Sequence, residues 1–111
     1  MDTVMHILQF TQSTLVRRRS EAAGRKVATY ITGDVIALDF SETSPSLSFL
    51  EGLVLTLHQN EKLLDTTFVS DDATLRNRLA RISRRRAMAI YVRRAGELGR
   101  SAVIPAPASL A

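Results

Sequence analysis

The sequence predicts an α/β fold built on a small mixed sheet with crossover helices. Residues 35–40 read Val-Ile-Ala-Leu-Asp-Phe, an almost wholly apolar run that is typical of a central strand covered on both faces. Segments before and after this run carry apolar residues at helical spacing instead. The 111 residues, 45% of them hydrophobic, are enough for one core. We therefore expect a single domain.

The amino-terminal residues predict a hairpin. Val4–Phe10 has the composition of a strand, and Thr14–Arg17 is a second candidate strand after a Thr-Gln-Ser turn. The later alternation of helices and strands adds right-handed crossovers to this hairpin, which indicates a layered α/β domain rather than a barrel.

A first helix is predicted after Ser20. This serine is a suitable N-cap for the segment Glu21–Ile31, whose apolar residues follow a helical period. Gly24 inside the segment lowers the intrinsic stability of the helix. Gly33 is well placed as a carboxyl-terminal stop, so the helix should end near Thr32.

A second helix is predicted after the serine-rich stretch that follows the central strand. Either Ser46 or Ser48 can cap it, because serine side chains accept hydrogen bonds from the first free amides of a helix. The apolar stripe that should pack on the sheet consists of Phe49, Leu50, Leu53, Val54 and Leu57.

A further strand and helix are predicted downstream. Asp65–Ser70 reads as a short strand, and Asp71 and Asp72 follow it where carboxylates suit the positive end of a helix dipole. The buried face of this third helix is predicted to carry Leu75, Leu79 and Ile82. We expect the helix to end near Arg86.

The carboxyl-terminal residues are harder to interpret from periodicity. Ala87–Val92 is continuously apolar and fits either another helical turn or a last strand. The end of the chain places Pro105 and Pro107 among small residues, which favours an irregular or disordered tail. We therefore predict a domain over residues 1–95 and a tail over residues 96–111.

Composition excludes several classes of site. The chain has no cysteine, which excludes disulfides, thiolate zinc sites and thiol nucleophiles, and its two histidines, His6 and His58, are far apart. No phosphate-binding glycine loop, paired-carboxylate motif or nucleophile elbow is found. Neither a signal peptide nor a membrane segment is indicated. We expect a cytoplasmic, non-enzymatic protein without cofactor or metal.

Four short segments resemble STAS-like domains, the poorly characterised relatives of anti-sigma-factor antagonists. The resemblance spans about residues 4–93 and is carried mostly by structural positions. The matching segments are Leu15–Ala22, Val35–Ser41, Ser48–Val54 and Phe68–Asp72.

The resemblance implies a protein-interaction module of bacterial-type signalling. STAS domains of this kind bind a partner, often an ATP-binding anti-sigma-type kinase, and phosphorylation at the start of the second helix breaks the contact. By position, the candidates for phosphorylation here are Ser44, Ser46 and Ser48. The Asp-Ser-(Ser/Thr/Ala)-Gly motif of phosphorylatable members is replaced by Leu47-Ser-Phe-Leu. Further candidates for partner contact are Asp39, Ser41 and Glu51.

Each of these residues also has a purely structural interpretation. Serines around Pro45 are common turn and cap residues, so they either hold the chain or contact a partner. Asp39, inside an apolar strand, either accepts bonds from nearby turn amides or binds a partner.

Arginines dominate the charge of the chain and suggest a second function. They supply 13 of the 15 basic residues, in a chain of net charge +4. The basic-surface candidates on the third helix are Arg78, Arg81, Arg84, Arg85 and Arg86. A helix face of this kind suits nucleic acid, although aromatic residues do not interleave with it. A solvated surface is the favoured interpretation of this face, and a third interpretation is docking of an acidic protein through the same arginines.

Overall fold

The computed structural model describes residues 5–9, 20–29, 31, 35–41 and 43–103. The described residues form strands and α-helices in alternation, with one 3₁₀ turn at Leu63–Asp65. The strands are β1 Met5–Gln9, β2 Val35–Asp39, β3 Thr66–Val69, β4 Tyr91–Arg93 and β5 Ser101–Ala102. The α-helices are α1 Glu21–Thr29, α2 Leu47–Gln59 and α3 Ala73–Arg86.

The five strands make one mixed sheet in consecutive order, β1-β2-β3-β4-β5. The first four strands are parallel, with Met5 opposite Val35 and Ile36 opposite Thr66, and β5 runs antiparallel to β4. Because parallel neighbours need a crossover, one helix lies between each successive pair of the first four strands. The predicted α/β class and mixed sheet are confirmed.

The three helices share one core with one face of the sheet. Side chains two residues apart in a strand point to the same face, and Leu38 and Phe40 join the core while Ala37 does not. Phe40 and Phe68 stack with ring centroids 6.1 Å apart, next to the helices. Ala37 and Leu38 are both fully buried, so the prediction of a strand covered on both faces is confirmed there.

Helices α1 and α2 cross with their backbones in direct contact. A Cβ at Gly24 would overlap the carbonyl oxygen of Phe49 and lie 2.8 Å from the backbone nitrogen of Leu53. A Cβ at Gly52 would overlap the carbonyl oxygen of Glu21 in the same way. Gly24 therefore has a packing role that outweighs its low helical propensity. The residues next to it in the sequence do not predict this role.

Helix α3 ends at a left-handed residue, which settles the structure of the apolar run 87–92. Ala87 has φ 53° and ψ 45°, and its amide bonds the carbonyl oxygen of Ser83. The Ser83 hydroxyl donates to the carbonyl oxygen of Met88 at 2.6 Å, which holds the turn. The chain then enters β4, so the end of this run is a strand.

The predicted irregular tail is wrong at Ser101–Ala102, because these residues form β5. The amide of Val103 bonds the carbonyl oxygen of Ile90 at 2.8 Å, which continues the pairing with β4. The Arg100 guanidinium lies 4.0 Å from the centre of the Tyr91 ring and donates to the carbonyl oxygen of Leu64. These contacts attach the chain after Arg94 to the sheet edge.

Other predicted boundaries differ by a few residues or fall outside the described part. Strand β1 confirms the first predicted strand, whereas its hairpin partner Thr14–Arg17 lies outside the described residues, as does Gly33. Helix α1 is capped by Ser20, whose Oγ accepts from the amide of Ala23, but it ends at Thr29 rather than near Thr32. No helix among the described residues is long and apolar enough to cross a membrane.

A first prediction tests the α1–α2 crossing. Gly52→Ala should lower the free energy of unfolding by about 1–3 kcal/mol, because the added methyl group must push two helix backbones apart. Urea denaturation followed by circular dichroism measures this loss. Ala22→Leu adds more volume on the exposed face of α1 and should change stability by less than about 0.5 kcal/mol. A neutral or stabilising Gly52→Ala would show that the helices do not approach so closely.

A second prediction concerns the end of α3. Ala87→Gly should raise the free energy of unfolding by about 0.5–1 kcal/mol, because glycine adopts the left-handed conformation without the steric cost that alanine carries. The control is Ala89→Gly, at an exposed position without positive φ, which should be neutral or destabilising. Thermal melting compares the two variants, and equal effects would contradict the assigned turn.

Candidate functional site

The carboxyl ends of the parallel strands gather polar residues at one edge of the sheet. Strand β2 ends at Asp39 and is followed by Ser41, and β3 is followed by Ser70, Asp71 and Asp72. Helices α2 and α3 begin at this same edge, because each helix runs back after a parallel strand. This edge therefore combines helix amino termini with hydroxyl and carboxylate groups.

The start of α2 is an ordered segment that carries three serines, one of which caps the helix. We call Ser44–Ser48 the serine segment. Ser46 is the N-cap, with φ −66° and ψ 159°, and its Oγ accepts from the amide of Phe49 at 3.2 Å. Ser44 and Ser48 are exposed on either side of it. Of the two caps that the sequence allowed, the structure uses Ser46.

Arg78 links the serine segment to α3. Its guanidinium NH1 donates to the carbonyl oxygen of Pro45 at 2.6 Å and to Ser44 Oγ at 3.4 Å. Pro45 itself is buried. An Arg side chain with two acceptors on one loop restrains that loop against the helix, since its donors have a fixed planar geometry. Arg78 was predicted as part of a basic surface, and it is instead a partly buried bracing residue.

Asp39 is held by its own turn. Its Oδ1 accepts from the amide of Ser41 at 2.8 Å, which is the local bond expected for a carboxylate at a strand end. The Asp39 side chain is half-buried and Ser41 is exposed. Of the two interpretations that the sequence allowed for Asp39, this bond supports the structural one.

The loops after β3 and β4 are bonded to each other. The Ser70 amide donates to the carbonyl oxygen of Arg93 at 3.1 Å, and the Ala95 amide donates to Asp71 Oδ1 at 3.1 Å. Asp72 is the N-cap of α3, accepting from the Thr74 amide at 3.0 Å. The acidic pair after β3 therefore stabilises a helix start and a neighbouring loop.

Glu51 faces the end of α3 rather than open solvent. Its Oε2 lies 3.5 Å from Arg85 NH1 and 3.6 Å from Arg86 NH2, and its side chain is only 15% exposed. This burial leaves little of Glu51 for a partner, although the sequence placed it among the contact candidates. Arg81 and Arg84 are exposed, and neither has a hydrogen-bond or ion-pair partner among the described residues.

Two buried polar atoms near the sheet edge were not found by sequence reasoning. Thr43 Oγ1 and Arg93 Nε are buried without a hydrogen-bond partner in the described part of the chain. Thr43 precedes the serine segment, and Arg93 ends β4. A threonine in a loop and an arginine after an apolar run give no pattern that predicts burial, because both depend on residues distant in the sequence.

The described side chains offer little for metal chemistry. Residues 5–9, 20–29, 31, 35–41 and 43–103 contain no group of three His, Asp or Glu side chains placed to hold a metal ion. The geometry at the sheet edge consists of caps, turn bonds and one bracing arginine. It presents a polar surface with three exposed serines, Ser41, Ser44 and Ser48.

Comparison with known proteins yields no match. No family model, no curated protein and no solved structure is similar to this chain.

A third prediction separates the cap from the exposed serines. Ser46→Ala should lower the free energy of unfolding by about 1 kcal/mol, because the Phe49 amide loses its acceptor. Ser48→Ala is the matched control, because Ser48 is the exposed second residue of the helix, and it should change stability by less than about 0.5 kcal/mol. Urea titrations of the two variants give the comparison. A larger loss for Ser48→Ala would reassign the cap.

Proposed function

We propose that this protein is a non-enzymatic regulatory module that binds a protein partner through Ser44–Gly52. The proposal follows the resemblance to STAS-like domains, and it places the protein in the cytoplasm, in bacterial-type signalling. An ATP-binding anti-sigma-type kinase is the class of partner that the resemblance implies. The chemistry of such a pair belongs to the partner, and this chain supplies the surface.

One observation carries the proposal: exposed serines stand on both sides of an N-cap that is braced from another helix. Arg78 restrains Pro45, and Ser46 fixes the first turn, so Ser44 and Ser48 are presented from a backbone that is already ordered. A pre-ordered surface loses less conformational entropy when a partner binds. This arrangement suits a contact surface better than a site that must close around a substrate.

The consecutive strand order supports a surface rather than a cleft. In open α/β sheets, ligands bind where the strand order reverses, because helices on opposite faces leave a crevice between two diverging loops. The order β1-β2-β3-β4 has no reversal, and the helices share one core on one face. Within the described strands, the sheet edge beside α2 therefore has no reversal of strand order, which is the feature that usually forms a substrate crevice.

Phosphorylation of an exposed serine is the proposed control. A phosphate adds about −1.5 to −2 charge, which weakens a complementary interface by repulsion and by desolvation. Of the three candidate serines, Ser44 and Ser48 are exposed, whereas Ser46 Oγ is engaged in the cap. Ser48 lies in the first turn of α2, where added negative charge is compatible with the helix dipole. Modification there leaves the fold in place and changes only the surface.

The alternative function, nucleic-acid binding through the third helix, stays a prediction. Arg78 is engaged with the serine segment, and Arg85 and Arg86 share Glu51. These contacts reduce the positive charge available for a run of phosphates.

The fourth prediction tests the proposed surface by affinity capture from native lysate. Wild-type protein should retain a stoichiometric protein partner after nuclease treatment, and Ser48→Asp should reduce its recovery by about tenfold through charge repulsion. Ser101→Asp is the control, with the same change at an exposed serine in β5. Melting curves should show that both variants remain folded. Equal recovery with Ser48→Asp, or a partner that disappears with nuclease, would contradict the proposal.

A further inference from the structure

The end of α3 carries concentrated positive charge. Helix α3 contains six arginines and no acidic residue. We call Arg81, Arg84, Arg85 and Arg86 the arginine patch. Arg81 and Arg84 are exposed, and the side chains of Arg85 and Arg86 are 48% and 41% exposed.

The arginine patch lies outside the serine segment and meets the proposed contact surface at Glu51, which is 3.5 Å from Arg85 NH1 and 3.6 Å from Arg86 NH2. Helix α2 begins at the carboxyl edge of the sheet, whereas α3 ends where the chain returns to start β4. Because parallel strands all begin at the same edge, the end of α3 lies near the amino edge. The patch residues themselves lie outside Ser44–Gly52, so the inference goes beyond the proposed function.

The arginine patch already binds one carboxylate of its own chain. Glu51 lies within 3.6 Å of Arg85 and Arg86, which leaves Arg81 and Arg84 without a described partner. Arg85 and Arg86 carry two positive charges and Glu51 carries one negative charge, so these three side chains together remain positive. Like charges at three- and four-residue spacing repel, so further anions at this end of α3 are favourable.

The size and shape of the patch favour an acidic protein segment over nucleic acid. Arg81 and Arg85 are one helical turn apart, about 6 Å along the axis. Carboxylates at three- or four-residue spacing on another helix have the same repeat. A duplex instead offers a long track of phosphates, yet the nearest exposed residues before and after the patch in the sequence are Asn77, Ala87 and Ala89, none of which is basic. We propose that the arginine patch docks a helical segment of a partner protein carrying Asp or Glu at three- and four-residue spacing.

The chemistry of arginine suits this partner. A guanidinium presents a planar set of donors to a carboxylate and is more weakly hydrated than an ammonium group. Exposed pairs contribute little each, so recognition depends on several carboxylates engaging the patch together and falls with added salt.

The test measures binding of a labelled helical peptide of about 15 residues, with glutamates at four-residue spacing, by fluorescence anisotropy at about 50 mM salt. The test variant is Arg81→Gln with Arg84→Gln. The matched control is Lys26→Gln with Arg94→Gln, which removes the same charge at exposed positions whose side-chain charges have no partner within the described part of the chain. A duplex DNA of similar charge is the competing probe.

The proposal expects the Arg81/Arg84 variant to bind the peptide about tenfold more weakly, with the control within about twofold of wild type. Amide resonances of residues 81–86 should shift on titration while those of the serine segment, Ser44–Ser48, do not. Absence of peptide binding, or equal weakening by the control, overturns the proposal. DNA binding tighter than the peptide, with the same dependence on Arg81 and Arg84, assigns the patch to nucleic acid instead. Capture through Ser44–Gly52 is tested separately, with Ser48→Asp.

Discussion

The close crossing of α1 and α2 is the constraint on which the rest of the structure depends. Gly24 faces the backbone of Phe49, and Gly52 faces the backbone of Glu21, so each helix lacks a side chain where the other passes. Glycine costs each helix about 1 kcal/mol relative to alanine. The close approach offsets this cost because it seats the apolar stripe of α2 fully in the core, where Phe49 and Leu53 have no exposed surface. The position of the first turn of α2, and hence of Ser46, follows from this contact.

Elements with a strong local pattern were predictable, and elements that depend on distant residues were not. Strands β2 and β3, helices α2 and α3, and the cap at Asp72 follow from apolar periodicity and cap chemistry within a few residues. Strand β5 has no apolar pattern of its own and forms only because Tyr91 and Val92 present a pairing edge. From the sequence, Gly24 was expected only to lower the stability of its own helix. Its packing role was not predictable, because its packing partner is a residue of another helix. The left-handed turn at Ala87 decides between helix and strand for the run that follows. No glycine at this position indicates such a turn in the sequence.

The candidate site shows the same division between local and distant information. The presence of serines before a helix start was sufficient to predict a cap and a polar surface. Which serine does the capping depends on backbone geometry that the sequence allowed in two ways. The role of Arg78 is decided by the carbonyl oxygen of Pro45, which lies 33 positions earlier in the chain. Helical periodicity relates Arg78 only to its neighbours on α3, so it grouped this residue with the exposed arginines.

The arginines of α3 therefore have different roles, which depend on their contacts. Arg78 braces a loop, and Arg85 and Arg86 sit beside a carboxylate, whereas Arg81 and Arg84 face solvent. A net charge of +4 does not describe such a surface, because screening limits each exposed charge to about 10 Å at moderate salt. Any anionic partner responds to the local cluster, not to the total. Helix α3 begins at the carboxyl edge of the sheet and ends near the amino edge. The same helix therefore braces the serine segment through Arg78 and carries the arginine patch in its last turns.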